Sequence, residues 1–365
     1  MKIGIAGSGA IGLATAAWLS QREHGGHAVT VWSPRSSSSG FDATSLREVP
    51  LTSTGLLQTE TRVAVADTAA ALAAGADVLL IAVPVNGHRH VMDALLPHLR
   101  HGQTVIISAM GSLSALYLFE AAQARAIDIT VASLGTTVLT ARHEGPAQVR
   151  IMTRRGALDV SALPHSQTDV AVKLCSTLFG AGFSAQTNAL ATALSNTNPV
   201  AHVPLALFNW TRIERAENWP QYLYMTPQVA AVIERLDAER LALARAFGMN
   251  VRRIEQHFAR SFATQSSALA DIAAELHAKR GGPPGPTDAD SRYMTEDVPY
   301  GLVFCVALGR MAGVPMPATE TLVDTASLIA GRDFSADNDL LVPLGIASES
   351  ATGLLARVNC EWMRN

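Results

Sequence analysis

The chain has 365 residues, a net charge of -3 at neutral pH, 48% hydrophobic and 16% charged residues. That length exceeds most single cores and predicts two domains, while the balance of apolar and charged residues excludes a disordered chain. No apolar stretch is long enough to span a bilayer, and no basic block is present to track a phosphate backbone, so neither a membrane nor a nucleic acid is an expected partner.

The first residues, "KIGIAGSGAIGLATAAWL", join a short apolar strand to Gly7-x-Gly9-x-x-Gly12, followed by Ile11, Ala14 and Trp18 at helical spacing. Strand, tight turn and helix in this order predict a dinucleotide site. Gly7 permits the turn, Gly9 lets a pyrophosphate approach the backbone, and Gly12 lets the helix lie close on the strand. The helix's N-terminal amides, those of Ala10 and Ile11 among them, then face the phosphates. No secretory leader is expected, because glycines stand where a signal peptide would continue its apolar core.

A second strand, "AVTVW", ends at Trp32. Where an acidic residue would hold the ribose 2'-hydroxyl of NAD, the chain reads Ser33-Pro34-Arg35-Ser36. A carboxylate there would repel a 2'-phosphate, whereas a hydroxyl and a guanidinium bind one, so Ser33 and Arg35 favour NADP over NAD. By composition alone the same serine-rich stretch is a solvated turn.

The alternation continues with "RVAVA", a helix opening at Asp67-Thr68, "DVLLIAV" halted by Pro84, a helix containing Val91, Leu95 and Leu99, and the strands "QTVIISA" and "IDITVAS". Strands separated by helices predict an α/β fold with a parallel, doubly wound Rossmann sheet. "VPVNGHRH" falls at the C-terminal end of a strand, which puts Pro84 and Asn86 at the cofactor cleft. His88 and His90 point to different faces of a helix, so they are expected to be solvated or beside phosphate, and no metal site is expected. Cys175, Cys305 and Cys360 are far apart and form no C-x-x-C pair, which predicts buried, reduced thiols in a cytoplasmic protein.

From about residue 187 the strand signals fade, so a dinucleotide domain over 1–186 and an all-α domain over 187–365 are expected. "SNTNPVAHVP" sets Pro199 in a helix's first turn, with Asn196 and Asn198 as caps or substrate amides, and His202 as a core residue or a proton-transfer group. In "TPQVAAVIERLDAERLALARAFG", Thr226 caps, Pro227 starts and Gly248 closes a helix whose carboxylates and arginines form a solvated face. After a glycine-proline loop, "SRYMTEDVPYGLV" carries Arg292, Glu296 and Asp297. By composition this is a charged loop-to-helix junction; by chemistry it offers an arginine fork for a carboxylate and an acid that can orient a histidine.

The order G-x-G-x-x-G, "SNTNPVAHVP", "LDAERLALARAFGM" and "RYMTEDVPYGLV" resembles the octopine/nopaline-type opine dehydrogenase family over nearly the whole chain. The resemblance implies a Rossmann domain followed by a helical substrate domain. It also implies NAD(P)H-dependent reduction of the imine formed from an amino acid and a 2-oxo acid such as pyruvate or 2-oxoglutarate. By matching motif, His202 becomes the catalytic acid-base, Asp297 its partner, and Arg292 and Asn198 ligands of substrate carboxylates. A homodimer is compatible with this picture. The stretch "QYLYMTP" lacks the glutamate and glycine of the family's Tyr-x-Glu-Gly-x-Thr-Pro pattern, leaving Trp210, Tyr222 and Tyr224 as side-chain pocket or core residues. The opening also resembles ketopantoate-type reductases, which rely on a lysine in the helical domain. The only lysines are Lys2, Lys173 and Lys279, none beside the Asn-Pro-His stretch. A non-catalytic dinucleotide sensor is a further reading, opposed by the presence of both His202 and Asp297.

Overall fold

Strands rich in Val, Ile and Leu with no polar alternation belong inside a sheet covered on both faces, and the first half of the chain forms one. The computed structural model describes residues 1–21, 25–34, 48–180, 182–280 and 283–361. Its strands are β1 (Lys2–Ala6), β2 (Ala28–Trp32), β3 (Glu48–Gly55), β4 (Thr59–Val65), β5 (Val78–Ile81), β6 (Gln103–Ile107), β7 (Ile129–Leu134), β8 (Leu139–Gly145), β9 (Gln148–Arg154), β10 (Leu158–Leu163) and β11 (Phe183–Ala185). They make a single sheet in the order β11-β10-β7-β6-β5-β1-β2-β4-β3-β9-β8. The run β4-β2-β1-β5-β6-β7 is parallel throughout, and the chain's direction of winding reverses between β1 and β5, where Ile3 pairs with Val78 and Ala6 with Ile81. Ligands of such sheets bind outside the C-terminal ends of the strands at this reversal.

The expected helix after Asp67 is Ala69–Gly75, capped by the Thr68 hydroxyl, which accepts the Ala71 N–H at 3.1 Å. Strands β3 and β8 to β11 carry weak sequence signals. β3 and β4 pair antiparallel, as do β8 and β9, and their outward positions are Thr, Arg, His and Glu, which leave a mixed polar pattern with little apolar alternation.

The chain divides into two compact units: Met1–Thr192 with the segment from Ala356, and Ala193–Leu355. The first contains the sheet. The segment from Ala356 returns to it, where Arg357 donates two hydrogen bonds to Glu120 at 2.8 and 2.7 Å and Asn188 donates to Asn359 at 3.0 Å.

The second unit is built from helices, including Asn198–Leu207, Pro227–Ala246, Ile254–Phe262, Phe304–Ala312 and Pro317–Ala330. The helix Pro227–Ala246 ends before Gly248, whose φ of +70° suits glycine, as predicted; Thr226 occupies the N-cap position but its side chain makes no capping hydrogen bond. Its charged residues correct the expectation of a solvated face: Asp237, Glu239 and Arg240 are buried. Arg240 donates to Asp237 at 2.9 and 2.6 Å, to the Arg252 carbonyl at 2.6 Å and to the Leu194 carbonyl. Asp237 also accepts the Ile254 N–H at 3.0 Å. Glu239 accepts the Ala318 and Thr319 N–H groups at 2.9 Å and the Thr319 hydroxyl at 2.8 Å, placing a carboxylate at the N-terminus of Pro317–Ala330. Charges can be buried here because each finds several partners, a condition that periodicity does not reveal.

A π-helical turn, Val298–Val303, runs into the helix Phe304–Ala312. A side chain at Gly301 would place its Cβ 2.3 Å from Pro199, so the turn lies directly against the start of Asn198–Leu207. No helix among the described residues is long and apolar enough to cross a membrane.

Replacing Arg240 by Met removes the cation of a buried carboxylate and the donors of the buried Leu194 and half-buried Arg252 carbonyls. The variant is expected to lose about 3–5 kcal/mol of stability, read from urea unfolding; a loss below about 1 kcal/mol is the contrary outcome.

Candidate functional site

The glycine-rich turn shows three different demands. Gly7 has φ +128°, its N–H donates to the Trp32 carbonyl at 2.8 Å, and a Cβ would fall 2.6 Å from the Ala82 carbonyl oxygen. A Cβ on Gly12 would fall 2.0 Å from the Gly7 carbonyl oxygen, so helix Ala10–Leu19 lies on the turn only because that position is bare. At Gly9 nothing lies within 4 Å of a Cβ, and no side chain caps the helix. Open space before a bare helix N-terminus, with the amides of Ala10 and Ile11 in its first turn, suits a pyrophosphate. Ser33 directly follows β2, and Pro84 and Asn86, both exposed, form the turn after β5. Since β1, β2 and β5 are parallel, these residues collect at one end of the sheet. Arg35 lies outside the described residues.

His88 departs from expectation. It is wholly buried, with Nε2 3.2 Å from the Val83 carbonyl and Nδ1 2.9 Å from the Ser114 hydroxyl. Burial pushes it down to about 4 against the pull of the Val83 carbonyl, so near neutral pH the ring is uncharged. Nε2–H then donates to Val83 and the Ser114 hydroxyl donates to Nδ1. With both nitrogens engaged it is neither solvated nor a phosphate ligand; it ties the turn after β5 to the helix Ser114–Gln123. His90 is exposed. Of the cysteines, Cys175 and Cys360 are buried and Cys305 half-buried, all as free thiols.

In the second unit, Asn196 Oδ1 accepts the Asn198 N–H at 3.0 Å just before the helix Asn198–Leu207; the N-cap position is Thr197, with no side-chain cap, and Asn198 is the first helical residue, so neither asparagine is the cap. One turn inside, His202 places Nδ1 2.8 Å from Asp297 Oδ2, with side chains only 13% and 7% exposed. The structure therefore brings together two residues that lie 95 apart in the chain. A carboxylate on Nδ1–H selects one tautomer and leaves Nε2 as the proton acceptor. On the ring's face lies Tyr293, with centroids 3.9 Å apart and planes within 2° of parallel. Tyr293 donates to the buried Gln221 Oε1 at 2.5 Å.

Arg292 opens the short helix Arg292–Thr295 and is exposed, while Asn198 is half-buried. Among the described residues neither is hydrogen-bonded to His202 or Asp297. Trp210 belongs to the helical core, Tyr222 packs edge-on against Phe258 and Phe262, and Tyr224 lies under the Arg212 guanidinium at 4.1 Å. Tyr293 and Gln221 were not singled out by the sequence. The available signal was spacing: Tyr293 and Asp297 are four residues apart, which turns both toward one face.

The model of the alpha-helical domain of NAD/NADP octopine/nopaline dehydrogenases matches residues 185–330, and that of ketopantoate reductase PanE/ApbA matches residues 3–165. The opine dehydrogenase of Arthrobacter sp. (strain 1C) is 31% identical over 285 residues, covering 78% of this chain and 79% of its own. The chain belongs to the opine dehydrogenase family. Octopine dehydrogenase with NADH and L-arginine shares the fold at a TM-score of 0.79 and 18% identity, over 99% of this chain and 98% of its own. Yersinopine dehydrogenase with NADP+ does so at 0.71 and 16% identity, over 100% of this chain and 99% of its own. The ketopantoate reductase match stops before the helical unit, so within this opine dehydrogenase family member it speaks for the nucleotide-binding fold.

His88 makes stability depend on pH in a defined direction. Its ordinary value is 6.5 and its folded value about 4, so between these the unfolded chain binds more protons. The contribution is complete above about 6.5 and is lost as pH falls toward 4, amounting to about 3 kcal/mol. Urea unfolding between pH 4 and 7 is expected to show a shallower pH slope in His88→Asn than in the unmodified protein. Equal slopes would count against the neutral buried ring.

Proposed function

We propose that this protein is an opine dehydrogenase that prefers NADPH and joins an amino acid to a 2-oxo acid through an imine. The observation that carries the reading is the His202–Asp297 pair, a nearly buried imidazole with one nitrogen held by a carboxylate and the other left to exchange a proton. Related octopine dehydrogenase structures carry L-arginine or pyruvate, which supports the two substrate classes.

The bound dinucleotide supplies the hydride; Gly7, Gly9, Ala10, Ile11, Gly12, Ser33, Arg35, Pro84 and Asn86 are the residues assigned to hold it. His202 Nε2 accepts a proton from the substrate ammonium, freeing the nitrogen lone pair to attack the keto carbon. Attack leaves an alkoxide beside a cationic nitrogen; a proton passing from that nitrogen to the oxygen gives the hydroxyl, and the proton held on His202 then lets it depart as water, leaving a protonated imine. Asp297 keeps Nδ1–H in place and stabilises the imidazolium between these two transfers. Arg292 offers a planar fork to a substrate carboxylate, and Asn198 an amide to another polar group. Absence of an acid at Ser33, with Arg35 two residues on, supports the preference for a 2'-phosphate, and the free cysteines support a reducing, cytoplasmic setting.

Oxidation of NADPH followed by absorbance, with pyruvate or 2-oxoglutarate against a panel of amino acids, tests the reading. Turnover is expected only with both substrates present; turnover with ketopantoate alone would overturn it. His202→Asn is expected to lower kcat by about 100-fold or more with cofactor affinity unchanged. Adding Asp297→Asn to it should cost far less than the two single losses combined, because both remove the same function. Near-normal turnover in His202→Asn would refute the assignment.

Cofactor choice is tested separately. Fluorescence titration at fixed salt is expected to show tighter binding of NADPH than NADH, and Arg35→Ala to narrow the gap. Equal affinities in the unmodified protein would remove the basis for the preference.

A further inference from the structure

A single hydrogen bond does not fix an aromatic ring. The bond from His202 Nδ1 to Asp297 Oδ2 sets one edge of the imidazole but leaves the ring able to rock about that contact, which would swing Nε2. A second constraint acts on the face of the ring. Tyr293 stacks on it with planes within 2° of parallel and centroids 3.9 Å apart. The tyrosine is itself held at its far end, where its hydroxyl donates to Gln221 Oε1 at 2.5 Å, and both residues are buried, at 9% and 5% exposure.

The four residues form a chain of contacts, Gln221 to Tyr293 to His202 to Asp297. Tyr293 and Asp297 stand four apart and so approach the imidazole from one segment, one at its face and one at its edge. The tyrosine hydroxyl donates its proton to Gln221 Oε1. From these contacts we infer that Tyr293, held by Gln221, is a positioning residue that fixes the plane of the His202 imidazole and thereby aims Nε2. The inference rests on the proposed role of His202 for its kinetic consequence, but the ring geometry itself can be read without turnover.

The test uses the full-length protein with three variants. Tyr293→Leu removes the flat face and is expected to lower kcat by about 10- to 100-fold, the scale of a misaimed reacting group, with KM for either substrate changed less than about twofold. Tyr293→Phe keeps the stacked face and is expected to restore kcat to within about threefold of the unmodified enzyme. Nitrogen-15 NMR of the imidazole gives the independent readout: a slowly exchanging Nδ1–H in the unmodified protein and in Tyr293→Phe, and a rapidly exchanging one in Tyr293→Leu. If Tyr293→Leu does not fold, Tyr293→Met, which fills more of the ring's volume but has no flat face, carries the test with the same signs. Unchanged kcat and unchanged Nδ1–H exchange in the folded variant would overturn the inference. If instead the NMR signal responds while amino acid and oxo acid produce no turnover, the positioning stands and the proposed function fails.

Discussion

Position 301 has room for a hydrogen and nothing more. A Cβ there would fall 2.3 Å from the Pro199 ring, and that forced closeness sets the first turn of Asn198–Leu207 against the π-helical turn Val298–Val303. Pro199 suits the position for a complementary reason: it occupies a first helical turn, where its missing N–H costs no hydrogen bond. Once these two surfaces meet, one turn along the first helix reaches His202, and the residue just before the π-helical turn is Asp297. The hydrogen bond between them follows from packing several residues away. A larger side chain at 301 would disturb the pair without touching either member.

The helices that frame this contact are held by charges as well as by apolar surface. Arg240 binds Asp237 and the carbonyls of Leu194 and Arg252, so one guanidinium gathers three separate stretches of chain. Glu239 does similar work at the N-terminus of Pro317–Ala330, where its carboxylate meets unpaired amides. Neighbours in sequence, these residues turn to different partners and make the long helix the organising rod of its unit. Burial strengthens such contacts and also makes them unforgiving, because each partner removed leaves another polar group stranded.

How much of this was legible depended on whether a residue's role is local. The demands on Gly7, Gly9 and Gly12 are made by the backbone within a dozen residues, so spacing alone exposes them. Strands β1, β2, β5, β6 and β7 were equally plain, being apolar on both faces. The pairing of His202 with Asp297 was not visible in spacing and entered only through the resemblance of two motifs to a family. Burial of Asp237, Glu239 and Arg240, expected on a solvated face, and of His88, expected to be solvated or beside phosphate, is not legible, since a hydropathy pattern cannot count hydrogen bonds made by distant parts of the chain. Strands β8 and β9 were missed because their outward faces are polar. Tyr293 stood inside a recognised motif, but its meaning required knowing what lay opposite it.

The return of the chain to the sheet unit from Ala356 onward makes the helical unit an insertion and not an appendage. Asn188 and Asn359, hydrogen-bonded to each other, mark the two ends of that insertion and bring them side by side. A gene shortened to its first 192 codons would therefore encode a nucleotide-binding unit stripped of part of its own interior, including the buried Val358 and Cys360. The natural unit of exchange in this architecture is the internal stretch between the two crossings. Substituting that stretch alone would transplant the helical unit, His202 and Asp297 included, while the sheet kept its own closing segment.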